Sequence, residues 1–534
     1  MIVEFCPDPY LYGDEDEYLV LEGNGFLDGI KVSDGEGGFR FPEFSRISGK
    51  LVVARNGMAY AEVHGTAPDY EIFDSSPGIP DVIRSGNMQL SNTGDELLLY
   101  NGPDLRQKIS WPGEVSCRQG QVHFLENGVW DPRVLMIGQT RISPALFEDV
   151  SGTAFVAPDS SFTAFKEITG SAREEILVNV YEFSSPAMAE ELIKAEERGV
   201  RVTVLLEGGP VGGISSGERS VVFMMNRSGI PVYQMVNSGS AHAPYRYNHA
   251  KYMVIDHRAL FLTSENFKTH GFPPEGQSGN RGYGVILYDP ALAAYFHSIY
   301  EQDIGGNWIV PLAGKEGELE EPEKGVYDVE FEAFSFEGAR VTPVISPDTS
   351  SLICDLIRGA QESIDIEQAY IKKSGENDQN PFLYEVLNAS ERGVTVRVLL
   401  DSYWFSVEGD DDNDEMVEFI NIHARSGNLP LEARCAALGK GDPEKVHNKG
   451  VIVDGRKVLV SSINWNLNSP TFNREAGVII DHPEAGAYFS RVFECDWEAA
   501  GNPVSYGGPD VTKIVVALVV IAGLTIFYLF RRKR

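Results

Sequence analysis

The feature that most constrains this chain is a polar-then-apolar phrase that occurs twice. YNHAKYMVID occupies residues 247–256 and VHNKGVIVDG occupies 446–455. Each is preceded by two strand-like runs around a helical one, and ERGVRVTVLLE (197–207) nearly repeats as ERGVTVRVLLD (391–401). A strand, a helix closed by Gly and a second strand form a βαβ unit. The sequence therefore predicts an internally duplicated α/β fold.

The apolar run in each phrase is short and rich in β-branched residues, which predicts a buried strand. Side chains two residues apart on a strand point the same way. His249 and Lys251 are therefore expected to project together, and so are His447 and Lys449.

The aspartates that end the two runs, Asp256 and Asp454, lie at an odd offset from the histidines. On a regular strand they face away from them. They are predicted to be structural acids at the strand ends.

The match continues downstream, in TSEN (263–266) and SSIN (461–464). Ser264 and Asn266 follow the first His at the same distances as Ser462 and Asn464 follow the second. A single His-x-Lys carries little information, whereas two copies with matching polar residues are a specific signal.

This pattern resembles the phospholipase D superfamily, whose signature H-x-K-x(4)-D occurs twice and is followed by a Gly-Ser-x-Asn-like segment. Here Thr263 and Ser461 stand where the family often has Gly. The resemblance implies two α/β halves that share one active site, a first half at 120–312, a linker at 313–328 and a second half at 329–500. It also implies catalytic roles for His249 and His447.

The residue types suit phosphodiester chemistry. One His can attack phosphorus and carry a phosphoryl group while the other protonates the leaving alkoxide. Lysines, amides and hydroxyls can hold the phosphate oxygens. The predicted phosphate-binding residues are Lys251, Lys449, Asn266, Asn464, Ser264 and Ser462. This mechanism needs no metal, and neither a metal site nor a cofactor is expected.

One position differs between the repeats. NREAGVII (473–480) places Glu475 where the family has an acid that orients the His, whereas NRGYGVIL (280–287) has Gly282 there. Glu475 is predicted to orient His447. His249 then needs another acceptor, either Glu275 or a residue of the other half, and the sequence leaves open which His is the nucleophile.

The N-terminal part is of a different kind. Short alternating runs such as EYLVLEG (17–23) and DELLLYN (95–101) are separated by Gly, Asp, Asn and Pro. This spacing predicts an all-β, immunoglobulin-like sandwich at 1–115. Its motifs, among them LSNTGDELLLYNGPDLRQKISWPG (90–113), resemble the lamin-tail domain.

The C-terminal segment 514–530 is free of charged residues and is followed by RRKR (531–534). This predicts a single-pass membrane helix with a basic cytoplasmic tail, and therefore extracytoplasmic domains. The start MIVEFCPDPY has neither a basic nor an apolar signal region. Either the signal peptide is missing from this start site, or the protein is tail-anchored and faces the other way. The extracytoplasmic placement is the favoured expectation.

The substrate is less constrained. The net charge of −33 disfavours nonspecific binding of nucleic acid by the surface as a whole. A membrane-anchored enzyme acting on phospholipids is the first expectation. A surface endonuclease with the same two histidines and a non-catalytic phosphate-binding module are the alternatives. The oligomeric state stays open, and His257 and His297, which have no repeat partner, are expected to be surface or loop residues.

Overall fold

The computed structural model describes residues 1–111, 118–237, 242–320, 327–373, 380–409, 412–439 and 441–500. Within these ranges no helix is long and apolar enough to cross a membrane. The predicted membrane helix at 514–530 and the basic tail lie outside the described residues.

The N-terminal domain is built from two mostly antiparallel sheets, in the orders β11-β10-β1-β2-β5-β6, with β12 beside β10, and β7-β4-β3-β8-β9. Apolar side chains of both sheets, such as Phe5, Leu19, Val32 and Leu97, form one core. The elements are β1 (Ile2–Cys6), β2 (Tyr18–Phe26), β3 (Ile30–Ser33), β4 (Gly38–Arg40), β5 (Arg46–Asn56), α1 (Gly57–His64), β6 (Tyr70–Phe73), β7 (Ile83–Ser85), β8 (Asp95–Asn101), β9 (Asp104–Trp111), β10 (Gln121–Glu126), β11 (Val129–Trp130) and β12 (Leu135–Met136).

This domain extends further than the sequence indicated. Strand β10 pairs with β1, so residues after 120 still belong to the N-terminal sheet. The sequence-based boundary assigned these residues to the first α/β half, because the apolar run of β10 does not reveal that its partner is β1. The two-sheet architecture agrees with the predicted all-β class, and the resemblance to lamin-tail domains stays a prediction.

The first repeat contains eight strands and four helices. They are β13 (Phe147–Ala157), α2 (Ser161–Ser171), β14 (Glu175–Val180), α3 (Pro186–Glu197), β15 (Arg201–Glu207), α4 (Ser216–Arg227), β16 (Val232–Met235), β17 (Lys251–Ile255), β18 (Ala259–Thr263), β19 (Asn280–Tyr288), α5 (Pro290–Ile304) and β20 (Ile309–Pro311).

The second repeat follows the same order. Its elements are β21 (Phe334–Ser346), α6 (Leu352–Arg358), β22 (Ser363–Gln368), α7 (Pro381–Glu391), β23 (Thr395–Leu400), a 3-10 turn (Trp404–Ser406), α8 (Asn413–Gly427), β24 (Leu431–Cys435), β25 (Lys445–Val446), β26 (Lys449–Val453), β27 (Lys457–Ser461), α9 (Asn468–Thr471), β28 (Glu475–Asp481) and α10 (Pro483–Ala499).

The two repeats join into one sixteen-stranded sheet. Fifteen of its strands follow the order β20-β16-β15-β14-β17-β18-β19-β13-β21-β28-β27-β26-β22-β23-β24, which reads nearly the same from both ends, and β25 pairs with β19 beside this path. The antiparallel pair β13–β21 is the seam. Helices α5 and α10 pack into a core that spans both repeats. Helices α2, α3 and α4 cover a separate core of the first repeat, and α6, α7 and α8 cover one of the second repeat, on the opposite face. The predicted duplicated α/β fold is thus present.

Local sequence explains the matching helices. Ser185 and Asn380 accept hydrogen bonds from the first turns of α3 and α7, and each is followed by Pro at the first helical position. Beyond each helix comes a Gly with φ near +90°, Gly199 and Gly393, which turns the chain into the next strand. In the expected linker, Lys315 donates a backbone hydrogen bond to Arg219 of α4, so this part packs on the first half.

Candidate active site

The two His-x-Lys phrases meet because each one pairs with the other repeat. The backbone N–H of His249 donates to the carbonyl of Arg474 at 2.8 Å, and that of His447 donates to the carbonyl of Arg281 at 2.9 Å. Strand β25, just before His447, runs parallel to the start of β19. Each His is therefore held at the seam by a strand of the opposite half.

Strand alternation places each Lys beside its His. Lys251 begins β17 and its Nζ lies 3.2 Å from Nε2 of His249. Lys449 begins β26 and donates to the carbonyl of His447. Both lysines are fully buried, and the two imidazoles are only slightly exposed. The structure thus gathers four of the predicted site residues in one buried cluster.

The orienting acid of His249 is Glu475. Its Oε2 lies 2.8 Å from Nδ1 of His249 and accepts a second hydrogen bond from Ser462 Oγ at 2.6 Å. Asn473 Nδ2 donates to the other oxygen. The prediction that Glu475 orients His447 was wrong, because the phrases cross the seam. Glu275, an alternative partner for His249, is exposed.

His447 faces an acid that the sequence analysis missed, Glu265. Its Oε1 lies 3.4 Å from Nδ1 of His447, an ion-pair distance without hydrogen-bond geometry in this structure. The other oxygen accepts from Asn280 Nδ2 at 3.0 Å. Glu265 is the third residue of TSEN, where SSIN has Ile463. This exchange of Glu for Ile was the available signal.

Glu265 and Glu475 come from neighbouring positions in equivalent strand pairs of the two repeats. Thr263 pairs with Gly284 and Ser461 with Gly477. Two residues further along, Glu265 lies against Gly282 in the first half, and the aligned residues of the second half are Ile463 and Glu475. A Cβ on Gly282 would come within 2.5 Å of Glu265 Oε1. The acid has changed strand between the repeats, and Gly282 leaves the room for it.

Burial and like charges determine the electrostatics of the pocket. Burial lowers the pKa of His249, with Glu475 opposing. Burial and the neighbouring Lys449 and Lys445 lower the pKa of His447 well below its usual value.

The lysines respond in the same way. Burial lowers the pKa of Lys251 to about 8. Burial and the charge of Lys251 lower the pKa of Lys449 well below the ordinary range. A buried cluster of four basic groups is therefore poised to take up an anion, which would stabilise their charged forms.

The amides and hydroxyls of TSEN and SSIN have distinct environments. Asn266 donates from Nδ2 to Glu182 at 3.0 Å, while its buried Oδ1 has no hydrogen-bond partner. Asn464 is also buried. Ser264 and Ser462 are fully buried and accept from the backbone N–H of Tyr283 and Ala476. These contacts favour a supporting role for the serines over the predicted direct phosphate binding.

The motif aspartates lie at the other end of their strands. Asp256 accepts from three consecutive backbone N–H groups, at residues 173–175, and pairs with Arg258. Asp454 accepts from the equivalent groups at 361–363. Both lie at positive φ. This placement is the structural one that the strand offset predicts.

Two buried arginines brace the seam. Arg281 pairs with Asp159 and Asp496, each at 2.7 Å. Arg474 pairs with Asp303 at 2.9 Å and with Asp348 at 3.5 Å. Since the carbonyls of these arginines accept from the two histidines, the ion pairs fix the strands that hold the site.

Comparison with known proteins agrees with this geometry. The family model described as "Cardiolipin synthase, PLD-like domain" matches residues 165–304 and 353–497, more than half of the chain. Mitochondrial cardiolipin hydrolase of Danio rerio is 29% identical over 115 residues, which is 22% of this chain and 44% of that protein. Cardiolipin synthase A of Salmonella arizonae is 22% identical over 337 residues, 57% of this chain and 60% of that one.

The chain thus spans only about half the length of the curated relatives it matches. Among solved structures, phosphatidylserine synthase of Haemophilus influenzae aligns with a TM-score of 0.47 and 13% identity, over 65% of this chain and 85% of that one. Two family matches, one on each repeat, carry the His-x-Lys phrases. The chain belongs to the phospholipase D superfamily.

Proposed function

We propose that this chain is a phosphodiesterase or phosphatidyltransferase that acts on phospholipids through a phosphohistidine intermediate. The observation that carries the proposal is the crossed arrangement at the seam: two His–Lys pairs, each His beside a buried acid of the opposite half. A cluster of this kind offers a nucleophile, a general acid and cationic donors close to one another.

His249 is the proposed nucleophile. A hydrogen bond from Nδ1–H to Glu475 leaves the lone pair on Nε2, the nitrogen beside Lys251. Nε2 attacks phosphorus and a P–N bond forms. The P–O bond to the leaving alcohol breaks as His447 gives its proton to that oxygen.

The second step reverses these roles. His447 takes a proton from water or from another alcohol, whose oxygen attacks phosphorus, and the P–N bond breaks. Water gives hydrolysis and an alcohol gives transfer. Lys251, Lys449 and the Asn266 and Asn464 amides are proposed to hold the non-bridging oxygens in both steps.

A phospholipid substrate is supported by the surroundings of the pocket. Trp404 and Phe405 are 60% and 50% exposed. Their turn is tied to the active-site segment, because Asp401 accepts from the backbone of Val446 and Lys445 Nζ lies 4.3 Å from the Phe405 ring centre. Exposed aromatic side chains beside a cation suit a lipid headgroup interface. The names of the two relatives also point to lipid chemistry.

The test compares three substrates with the full chain in EDTA: labelled phospholipid vesicles, single-stranded DNA and a soluble aryl phosphodiester. Release of headgroup from vesicles supports the proposal, and an added alcohol should divert product to the transferred lipid. Cleavage of DNA with vesicles untouched would identify a nuclease instead. Loss of all activity in EDTA, restored by a divalent ion, would contradict the metal-free mechanism.

The nucleophile can be identified with His447→Ala and an aryl phosphodiester, whose leaving group needs no general acid. We expect a trapped phosphoryl group on the peptide that contains His249. If the phosphoryl group is instead found on the His447 peptide of His249→Ala, and His447→Ala carries none, the two histidines have the opposite roles.

The segment 514–530 is proposed to keep this site at a membrane.

A further inference from the structure

Three potential metal ligands lie together outside the active site. Glu175 begins β14, His257 lies in the turn after β17, and His297 is on α5. Their ligand atoms all lie within 4.8 Å of one another. The turn is at the opposite end of β17 from Lys251, about 20 Å away at the usual rise of a strand.

The carboxylate points one oxygen at both imidazoles. Arg201 holds Oε1 of Glu175 at 3.1 Å, while Oε2 lies 3.2 Å from Nε2 of His257 and 3.8 Å from Nε2 of His297. Ligands of a tetrahedral Zn²⁺, each at about 2.0–2.1 Å, lie about 3.3 Å from one another. The observed spacing is thus close to that of a ligand set around one ion.

A fourth ligand is at hand. Glu301 lies one helical turn after His297, and its Oε1 is 3.9 Å from Nε2 of His297. Two imidazoles with one or two carboxylates suit Zn²⁺, whereas Mg²⁺ and Ca²⁺ prefer oxygen ligands alone. The side chains of Glu175 and His297 are only partly exposed, whereas that of His257 is open to solvent.

The duplication provides an internal comparison. Ser363 begins β22 as Glu175 begins β14, Gly455 follows Asp454 as His257 follows Asp256, and Ser490 is the eighth residue of α10 as His297 is of α5. The second repeat therefore builds the same strands and helix with none of the three ligands. The fold does not require them.

His257 is the most telling of these differences. Its φ is +52°, and the second repeat has Gly455 at φ +60° in the same place. A left-handed conformation favours Gly over a ring-bearing residue. The first repeat keeps an imidazole where Gly is easier to accommodate, with its Nε2 turned toward Glu175.

We propose that Glu175, His257 and His297 bind one Zn²⁺, with Glu301 or water as the fourth ligand. This differs from the sequence-based expectation that the chain has no metal site. The ion would tie the start of β14, the β17–β18 turn and α5 together and stabilise the first repeat. It takes no part in the phosphodiester chemistry, so the inference is independent of the proposed function.

The test titrates ZnCl₂ into the chelator-stripped full chain and its variants. His257→Asn keeps a residue that tolerates positive φ, and His297→Gln keeps helix propensity. His423→Gln is the surface control, and His249→Gln with His447→Gln removes the active-site imidazoles. We expect the full chain to bind one Zn²⁺ and its melting temperature to rise by several degrees. Among the variants, only His257→Asn and His297→Gln should bind zinc more weakly, by at least 100-fold.

Cobalt provides a second readout, since Co²⁺ in a tetrahedral nitrogen and oxygen site absorbs visible light. Those bands should appear in the full chain and be lost in the same two variants. Circular dichroism of the stripped proteins verifies that each is folded. If only one of the two ligand variants folds, that variant is sufficient for the test. Equal zinc binding by the full chain and the variants, or none by the full chain, would overturn the proposal.

Discussion

Glu265, two residues beyond the end of β18, lies against Gly282 of β19, and a Cβ on Gly282 would lie 2.5 Å from Glu265 Oε1. In the second repeat the equivalent pair is Ile463 and Glu475. The acid near each His thus comes from a different strand in the two halves. This arrangement indicates that the site requires a carboxylate beside each His, and that either of the two neighbouring segments can supply it.

An exchange of the two residues tests this. Glu265→Ile should lower turnover about 100-fold, because His447 loses the acid near Nδ1 and general acid–base catalysis is worth roughly 10²–10⁴-fold. Adding Gly282→Glu, which copies the second repeat, should recover a measurable part of the rate. The readout is kcat on a soluble phosphodiester, and failure of Glu265→Ile to slow the enzyme would refute the role.

Removal of either imidazole should stop the reaction with a natural substrate. His249→Ala and His447→Ala are each expected to lower kcat at least about 1,000-fold, since one lacks the nucleophile and the other the proton donor. His423→Ala serves as the control outside the pocket. Near-native turnover in either active-site variant would show that the two halves do not act as one site.

Asp256→Asn should affect stability and spare the chemistry. The Asp256 carboxylate accepts three backbone hydrogen bonds, and replacement should lower the free energy of unfolding by about 1–2 kcal/mol. Urea unfolding measures this loss, and Asp454→Asn is the matched variant of the second repeat. A large drop in kcat with unchanged stability would contradict the structural role.

The same variant has a defined pH dependence. Burial opposes ionisation of Asp256, but the backbone N–H groups and Arg258 outweigh it and lower its pKa. The stability from this carboxylate is therefore present above the unfolded-state pKa of about 3.9 and is lost as pH falls through the folded value. The difference between the original protein and Asp256→Asn should shrink below about pH 4.

Activity should decline in mildly alkaline solution. The pKa of Lys251 is lowered to about 8, so its charge is lost as pH rises through that value. Because kcat/KM reports groups of the free enzyme, it should show a further fall above about pH 8, in addition to the decline at lower pH that the more strongly lowered pKa values of His447 and Lys449 cause. Lys251→Arg should move this alkaline fall of kcat/KM to higher pH, whatever the maximal rate of the variant. A fall at the same pH in the variant would assign the titration to another group.

The exposed aromatic turn should matter only at a lipid surface. Trp404→Ala with Phe405→Ala removes two side chains that are at least half exposed, so the fold should be retained. We expect turnover of phospholipid vesicles to fall about tenfold, from lost interfacial burial, and that of a soluble phosphodiester to stay within about twofold. Tyr12→Ala, a fully exposed residue of the N-terminal domain, is the control. Equal losses on both substrates would argue against a lipid-docking role.

Features that depend on local pattern could be predicted from the amino-acid sequence. The repeated phrases gave both histidines and lysines, their strands and the duplicated α/β class, because alternation along a strand and the capping of helices are local properties. The place of Asp256 at the end of its apolar run likewise predicted its position at the far end of the strand.

Contacts across the seam, in contrast, became visible only in the folded chain. Only the exchange of Glu265 for Ile463 between TSEN and SSIN pointed to the acid near His447. Glu475 proved to serve His249 because each phrase pairs with the other repeat, and such contacts leave no trace in local periodicity. The same applies to β10, whose partner β1 lies at the other end of its domain, and to the Glu175, His257 and His297 cluster, whose members come from three separate elements. Long-range strand pairing brings these residues together, and no local pattern encodes it.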